Sequence, residues 1–226
     1  MQDIPLITSF GRRKSRSLSV EQLKLWNNVL PQYSITLQEE TIIPKVLFSD
    51  KAEVWLEIGF GKGEHLAAKA ENNHEIGFIG CEPYINGTLN MLKFIEEKKL
   101  ANVKLWNEDA RILLSKMADQ SLGKIFILHP DPWPKLRHHK RRLISDQFLD
   151  FIATKLHQQG KLIISTDHQD YAKWILERLL SNKNFIWAEE DKDKLHRPPT
   201  DIIGTCYQQK AASMGIDSIY FEFTRK

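Results

Sequence analysis

Apolar residues in this chain alternate between two spacings: short continuous runs, and stretches in which they recur every third or fourth position. The continuous runs at residues 54–58, 76–80, 103–106, 125–128 and 162–165 predict strands. The stretches at residues 64–71, 85–98, 110–117, 143–157 and 171–180 predict helices between them. Such alternation implies right-handed crossovers and an α/β fold, a mostly parallel sheet with helices on both faces. The pattern changes towards the end. Residues 185–188 and 218–223 read as strands with only an irregular segment, 189–214, between them. That predicts a terminal antiparallel strand inserted into the sheet. Residues 20–29 carry apolar positions at helical spacing, with Ser19 placed to cap the helix and Pro31 beyond its end. Residues 1–19 are polar and basic without hydrophobic period, the composition of a mobile arm. The expected organisation is that arm followed by a single domain over residues 20–226.

Composition adds exclusions rather than a function. A chain of 226 residues with 42% hydrophobic and 27% charged residues has the make-up of one globular domain. No apolar stretch approaches the roughly 18–20 residues that span a bilayer, and no apolar run follows the basic N-terminus as a signal peptide requires. A cytoplasmic location is the expectation. Cys81 and Cys206 are too few for a disulfide scaffold and form no metal-ligand pattern. The net charge of +3 says little about partners. Its distribution says more, because Arg12, Arg13, Lys14 and Arg16 form one basic cluster and residues 135–142 form another.

Candidate chemistry lies where strands end. The first strand runs into EIGFGKG, residues 57–63, in which Gly59, Gly61 and Gly63 permit a tight strand-to-helix turn and close approach of a ligand to the backbone. Glu57 before the turn would repel a pyrophosphate but suits a ligand bearing an ammonium group. Glu82, past the second strand, is placed to accept from ribose hydroxyls. Asp109, past the third, is placed either to accept from an adenine amino group or simply to cap the next helix. Acidic residues at successive strand ends beside a glycine turn describe a site for S-adenosylmethionine. The GxGxG spacing and Glu57 argue against a nicotinamide dinucleotide.

A second candidate is HPDPWPKLRHHKRR, residues 129–142. Pro130, Pro132 and Pro134 fix their own φ angles and push each preceding residue towards an extended backbone, so the segment is a stiff loop presenting Asp131 and Trp133. The basic half suits phosphates. A carboxylate and a ring beside a polyanion clamp suggest chemistry on a nucleobase. His138 and His139 lack a carboxylate or thiol to complete a metal set, and no metal is expected.

Together GFGKGEH, CEP, NED ending at Asp109, PDPWPKLRHHKRR and STDH at residues 165–168 resemble the bacterial tRNA (guanine-N7-)-methyltransferases. The likeness covers nearly the whole chain. It implies the class I methyltransferase fold, a seven-stranded sheet with an antiparallel last strand. It implies that Glu57, Glu82 and Asp109 bind S-adenosylmethionine and that Asp131 is the catalytic carboxylate. Lys135 and Asp167 match substrate-binding positions, and Arg137, His138, His139, Lys140, Arg141 and Arg142 match a tRNA-contacting segment. The implied substrate is a variable-loop guanine of tRNA. Guanine N7 carries a free lone pair, so attack on the methyl needs no prior deprotonation. Thr205, Cys206, Tyr207 and Gln208 match a further substrate segment, where the family has a basic residue and a glutamate in place of Cys206 and Gln208; the amide retains an acceptor but no charge. A monomer or homodimer with no obligatory protein partner is expected. Two other readings stand beside this one: a methyltransferase acting on another nucleic-acid target, and a tRNA-binding protein with weakened activity.

Overall fold

The computed structural model describes residues 17–37, 40–48, 50–187, 195, 198–199, 202 and 217–226. The strands are β1 (Glu53–Ile58), β2 (Ile76–Cys81), β3 (Val103–Trp106), β4 (Leu122–Leu128), β5 (Leu156–Thr166), β6 (Phe185–Trp187) and β7 (Ile219–Arg225). The α-helices are α1 (Val20–Lys24), α2 (Leu30–Tyr33), α3 (Glu64–Asn72), α4 (Ile85–Lys98), α5 (Ala110–Lys116), α6 (Asp146–Lys155) and α7 (Gln169–Ser181). The seven strands hydrogen-bond in the order β3-β2-β1-β4-β5-β7-β6. The pairs β2–β3, β1–β4 and β4–β5 are parallel, whereas β7 runs antiparallel to both β5 and β6. The expected inserted antiparallel strand is therefore present.

Two compact units divide the chain, one of Met1–Val54 with Ile58–Ala118 and one of Trp55–Glu57 with Asp119–Lys226. In the first unit β2 is buried along its whole length, and α3 and α4 bury Leu66, Ala67, Leu89, Met91, Leu92 and Ile95. The buried Asn102 amide donates to the carbonyls of Ala70, Asn73 and Ile76, each at 3.0 Å, and so satisfies backbone acceptors at the end of α3 and the start of β2. The helix expected to stop before Pro31 instead continues to Tyr33. Ser19 caps its start through a capping box with Gln22, and a π-helical turn over Leu25–Val29 follows. The wide turn restarts the helix at Leu30, so Pro31 falls in a first turn, where its missing N–H and fixed φ are tolerated.

In the second unit Leu56, Ile125, Phe126, Ile163, Ile164, Phe221 and Phe223 are buried. The helix expected over residues 143–157 is shorter at both ends. The Ser145 hydroxyl accepts from the Phe148 N–H at 3.3 Å and fixes the start of α6 at Asp146. Leu156 and His157 belong to β5, drawn into the ladder by pairing of Leu156 with Leu122 ahead of a bulge.

Candidate active site

In the first unit, Gly59, Gly61 and Gly63 all take positive φ, 75°, 56° and 83°, the left-handed region that favours glycine. A Cβ on Gly59 or Gly61 would meet no atom within 4 Å, so the turn opens onto space that a ligand can enter. The nearly buried Glu82 carboxylate is fixed against this turn. Its Oε2 accepts from the Gly61 N–H at 2.8 Å and its Oε1 from the Tyr84 N–H at 2.9 Å. A carboxylate held in this way presents acceptors only, the chemistry that vicinal hydroxyls call for. Gly87 makes this approach possible, since a Cβ there would collide with the Gly61 carbonyl and lie 2.8 Å from Glu82 Cγ. The cradle and its carboxylate fit the adenosyl part of S-adenosylmethionine.

Asp109 is occupied in another way. Its Oδ1 caps α5 by accepting from the Arg111 N–H at 3.0 Å, and both its oxygens hold the Arg111 guanidinium, at 2.9 and 2.7 Å. The capping alternative for this residue is thus realised, and an adenine contact would share the carboxylate with Arg111. Cys81, buried at the end of β2, has its thiol pushed well above the usual range by burial, then by Asp109 and Glu82. It is no thiolate nucleophile.

In the second unit, Glu57 is buried at the end of β1, where it pairs with Phe126 of β4. Asp131 is exposed on the loop after β4, and Asp167 is exposed after β5. The loop is not extended throughout as its prolines suggest. His129 and Trp133, each preceding a proline, take φ of 51° and 44°. Such a backbone costs about 1–3 kcal/mol per residue, so contacts must hold it. The His129 N–H donates to the Ser165 carbonyl at 2.9 Å. The Trp133 ring has Arg141 over its face at 4.9 Å and His138 at its edge at 5.8 Å.

The basic run forms a short 3₁₀ helix, Leu136–Arg141, rather than an α-helix face. Lys135, Arg137 and Lys140 are exposed, as is Leu136 at 82%. Desolvation and then the surrounding Arg141, Arg137, Lys135 and Lys140 hold His138 below its ordinary pKa. His139 turns the other way, edge-on to Trp174 at 5.5 Å and with Nε2 3.8 Å from Asp170. Arg142 departs most from its expected place. Its side chain is 1% exposed and bound to the Pro132 carbonyl and to Asp170. Asp170, Tyr171 and Trp174 were not singled out by the sequence. The signal available was the four-residue spacing of Asp170, Trp174 and Arg178 along one helical face. Thr205, Cys206, Tyr207, Gln208 and the cluster at Arg12, Arg13, Lys14 and Arg16 lie outside the described residues. Among the described residues no group of His, Cys, Asp and Glu could hold a metal ion, and no helix is long and apolar enough to cross a membrane.

Known proteins match this arrangement over most of its length. A family model described as "Putative methyltransferase" matches residues 51–220. The chain is 39% identical over 215 residues to a tRNA (guanine-N(7)-)-methyltransferase of Hyphomonas neptunium, covering 95% of this chain and 98% of that one. It is 40% identical over 218 residues to the protein of the same name in Bradyrhizobium diazoefficiens, covering 96% and 92%. Among solved structures, the 16S rRNA methyltransferase KamB superposes with a TM-score of 0.56 over 84% of this chain and 96% of that one. At 14% identity that likeness shows the fold alone, which is that of the class I methyltransferases.

Proposed function

Since the chain belongs to the tRNA (guanine-N(7)-)-methyltransferase family, we propose that it transfers the methyl group of S-adenosylmethionine to N7 of a guanine in tRNA, in the variable loop. The observation that carries the substrate side is the exposed Asp131 on a proline-stiffened loop that runs directly into exposed Lys135, Arg137 and Lys140. The donor supplies an electrophilic sulfonium methyl. Gly59, Gly61, Gly63 and Glu82 hold its adenosyl part, Asp109 closes the adenine side while capping α5, and Glu57 carries the charge that the donor's ammonium group calls for.

Guanine N7 uses its own lone pair in an in-line displacement, so no residue has to remove a proton beforehand. The chain contributes positioning and charge. Aligned reactants supply roughly 7–11 kcal/mol of a barrier in well-oriented systems. The purine gains a positive charge as the methyl arrives, and the Asp131 carboxylate, set against the N1 and N2 edge, answers that charge. Asp167 is the second acidic group on the substrate side. Drawing the base from its stack costs a few kcal/mol, offset by phosphate contacts from Lys135, Arg137, Lys140 and Arg141. The chain works in the cytoplasm, where tRNA is its partner.

The test is incubation with unmodified tRNA and labelled methyl donor, followed by borohydride and aniline cleavage at 7-methylguanine. Cleavage in the variable loop is expected. Label incorporated without cleavage there would favour a methyltransferase with another nucleic-acid target.

A further inference from the structure

We infer that Arg142 is a positioning residue for methyl transfer, tying the loop that carries Asp131 to the first turn of α7, next to Asp167; the inference rests on the function proposed above. Its guanidinium is divided between two elements. Nε donates to the Pro132 carbonyl, one residue past Asp131, at 2.9 Å. Nη2 donates to the Asp170 carboxylate, three residues past Asp167. The remaining nitrogen, Nη1, is itself buried. No donor of Arg142 is therefore left at the surface for a phosphate, although the residue closes a run of cations that reads as one phosphate grip.

The surroundings are built to hold that guanidinium in place. It lies over the rings of Tyr171 at 4.9 Å and Trp174 at 4.8 Å, both on α7. The same face of α7 grips the chain beyond Arg142. Tyr171 Oη accepts from the Ile144 N–H at 3.3 Å, and Trp174 Nε1 donates to the Ile144 carbonyl at 2.7 Å. Farther along, Arg178 pairs with Asp146 at 3.8 Å. The His168 side chain caps α7 by accepting from the Tyr171 N–H at 3.3 Å, which fixes the turn containing Asp167. A strained backbone at His129 and Trp133 needs an anchor between them, and the Pro132 carbonyl bond supplies it. An arginine suits this task because its planar fork donates in two directions at once, whereas a lysine ammonium is a single point of charge.

Arg142→Lys and Asp170→Asn test the inference in tRNA methylation assays alongside the wild type. Both are expected to lower kcat by about 10–100-fold, as a loop displaced by about an ångström does. The double variant should fall little further than the worse single one, because the two residues act as a pair. Donor affinity, tRNA affinity and the slope of log K for tRNA against log salt should stay at wild-type values. A slope reduced by close to one unit in Arg142→Gln, which removes the charge that lysine would keep, would make Arg142 a phosphate contact and overturn the inference. An unchanged kcat in Asp170→Asn, whose side chain is 59% exposed, would reduce the pair to a staple of the fold. Failure of the wild type to methylate tRNA would instead reject the function from which the inference starts.

Discussion

Asp131 sits between two residues whose backbones few L-amino acids adopt, and its chemistry depends on their staying there. His129 tolerates positive φ better than most residues, whereas Trp133 is a bulky exception held by Arg141 and His138. Asp131→Asn keeps the shape and removes the charge. It is expected to lower single-turnover methyl transfer by about 10²–10³-fold with donor affinity unchanged by calorimetry. Unchanged turnover would remove Asp131 from the chemistry. His129 carries a pH signature. Burial, opposed by Asp167, lowers its pKa below the ordinary 6.5. A histidine with a depressed folded pKa binds more protons when unfolded. Its contribution is therefore intact above about pH 6.5 and becomes destabilising as pH falls towards the folded value. His129→Asn, which also tolerates the left-handed backbone, should flatten the decline in urea midpoint between about pH 6.5 and 5. A decline as steep as in the wild type would assign it to other groups.

Element boundaries follow from single side chains, which is why some were legible and others were not. Ser145 fixes the start of α6 by one hydrogen bond. Ser145→Ala should cost about 1 kcal/mol, read as a lower denaturation midpoint with an unchanged m-value. The continuous apolar runs gave the strands directly because a strand covered on both faces has no polar alternation to confuse it. The early part of β5 was hidden, since His157, Gln158 and Gln159 are polar and only the ladder with β4 makes them strand. Pro31 reads as a terminator, and the π turn that lets the helix pass it has no signature in residue types. The glycine turn was readable because positive φ demands glycine, whereas the fixing of Glu82 against it by the Gly61 and Tyr84 N–H groups was not. The separation of Arg142 from its basic neighbours was not, because a charge run looks uniform until α7 packs against one end of it.

At the scale of the whole molecule, a net charge of +3 over 226 residues says little about nucleic acid, and the concentrated basic face says more. Each phosphate contact contributes roughly 0.7–0.9 to the slope of log K against log salt. Alanine at Lys135, Arg137 and Lys140 together should therefore reduce the slope for tRNA by about 2–3, measured by filter binding across a salt series. A slope equal to that of the wild type would make these lysines and arginine a merely solvated face. The place of β7 in the sheet has a consequence for how the protein is made. This strand joins β5 to β6, yet β6 closes at Trp187 and β7 opens only at Ile219. At a synthesis rate of roughly 5–20 residues per second, the nascent chain spends seconds with the edges of both neighbours bare. Bare edges are templates for pairing with other chains. Ribosome-released fragments ending before residue 219 are accordingly expected to sediment as aggregates, while chains extended past Arg225 stay in the supernatant. Translation timing is thus written into the strand order.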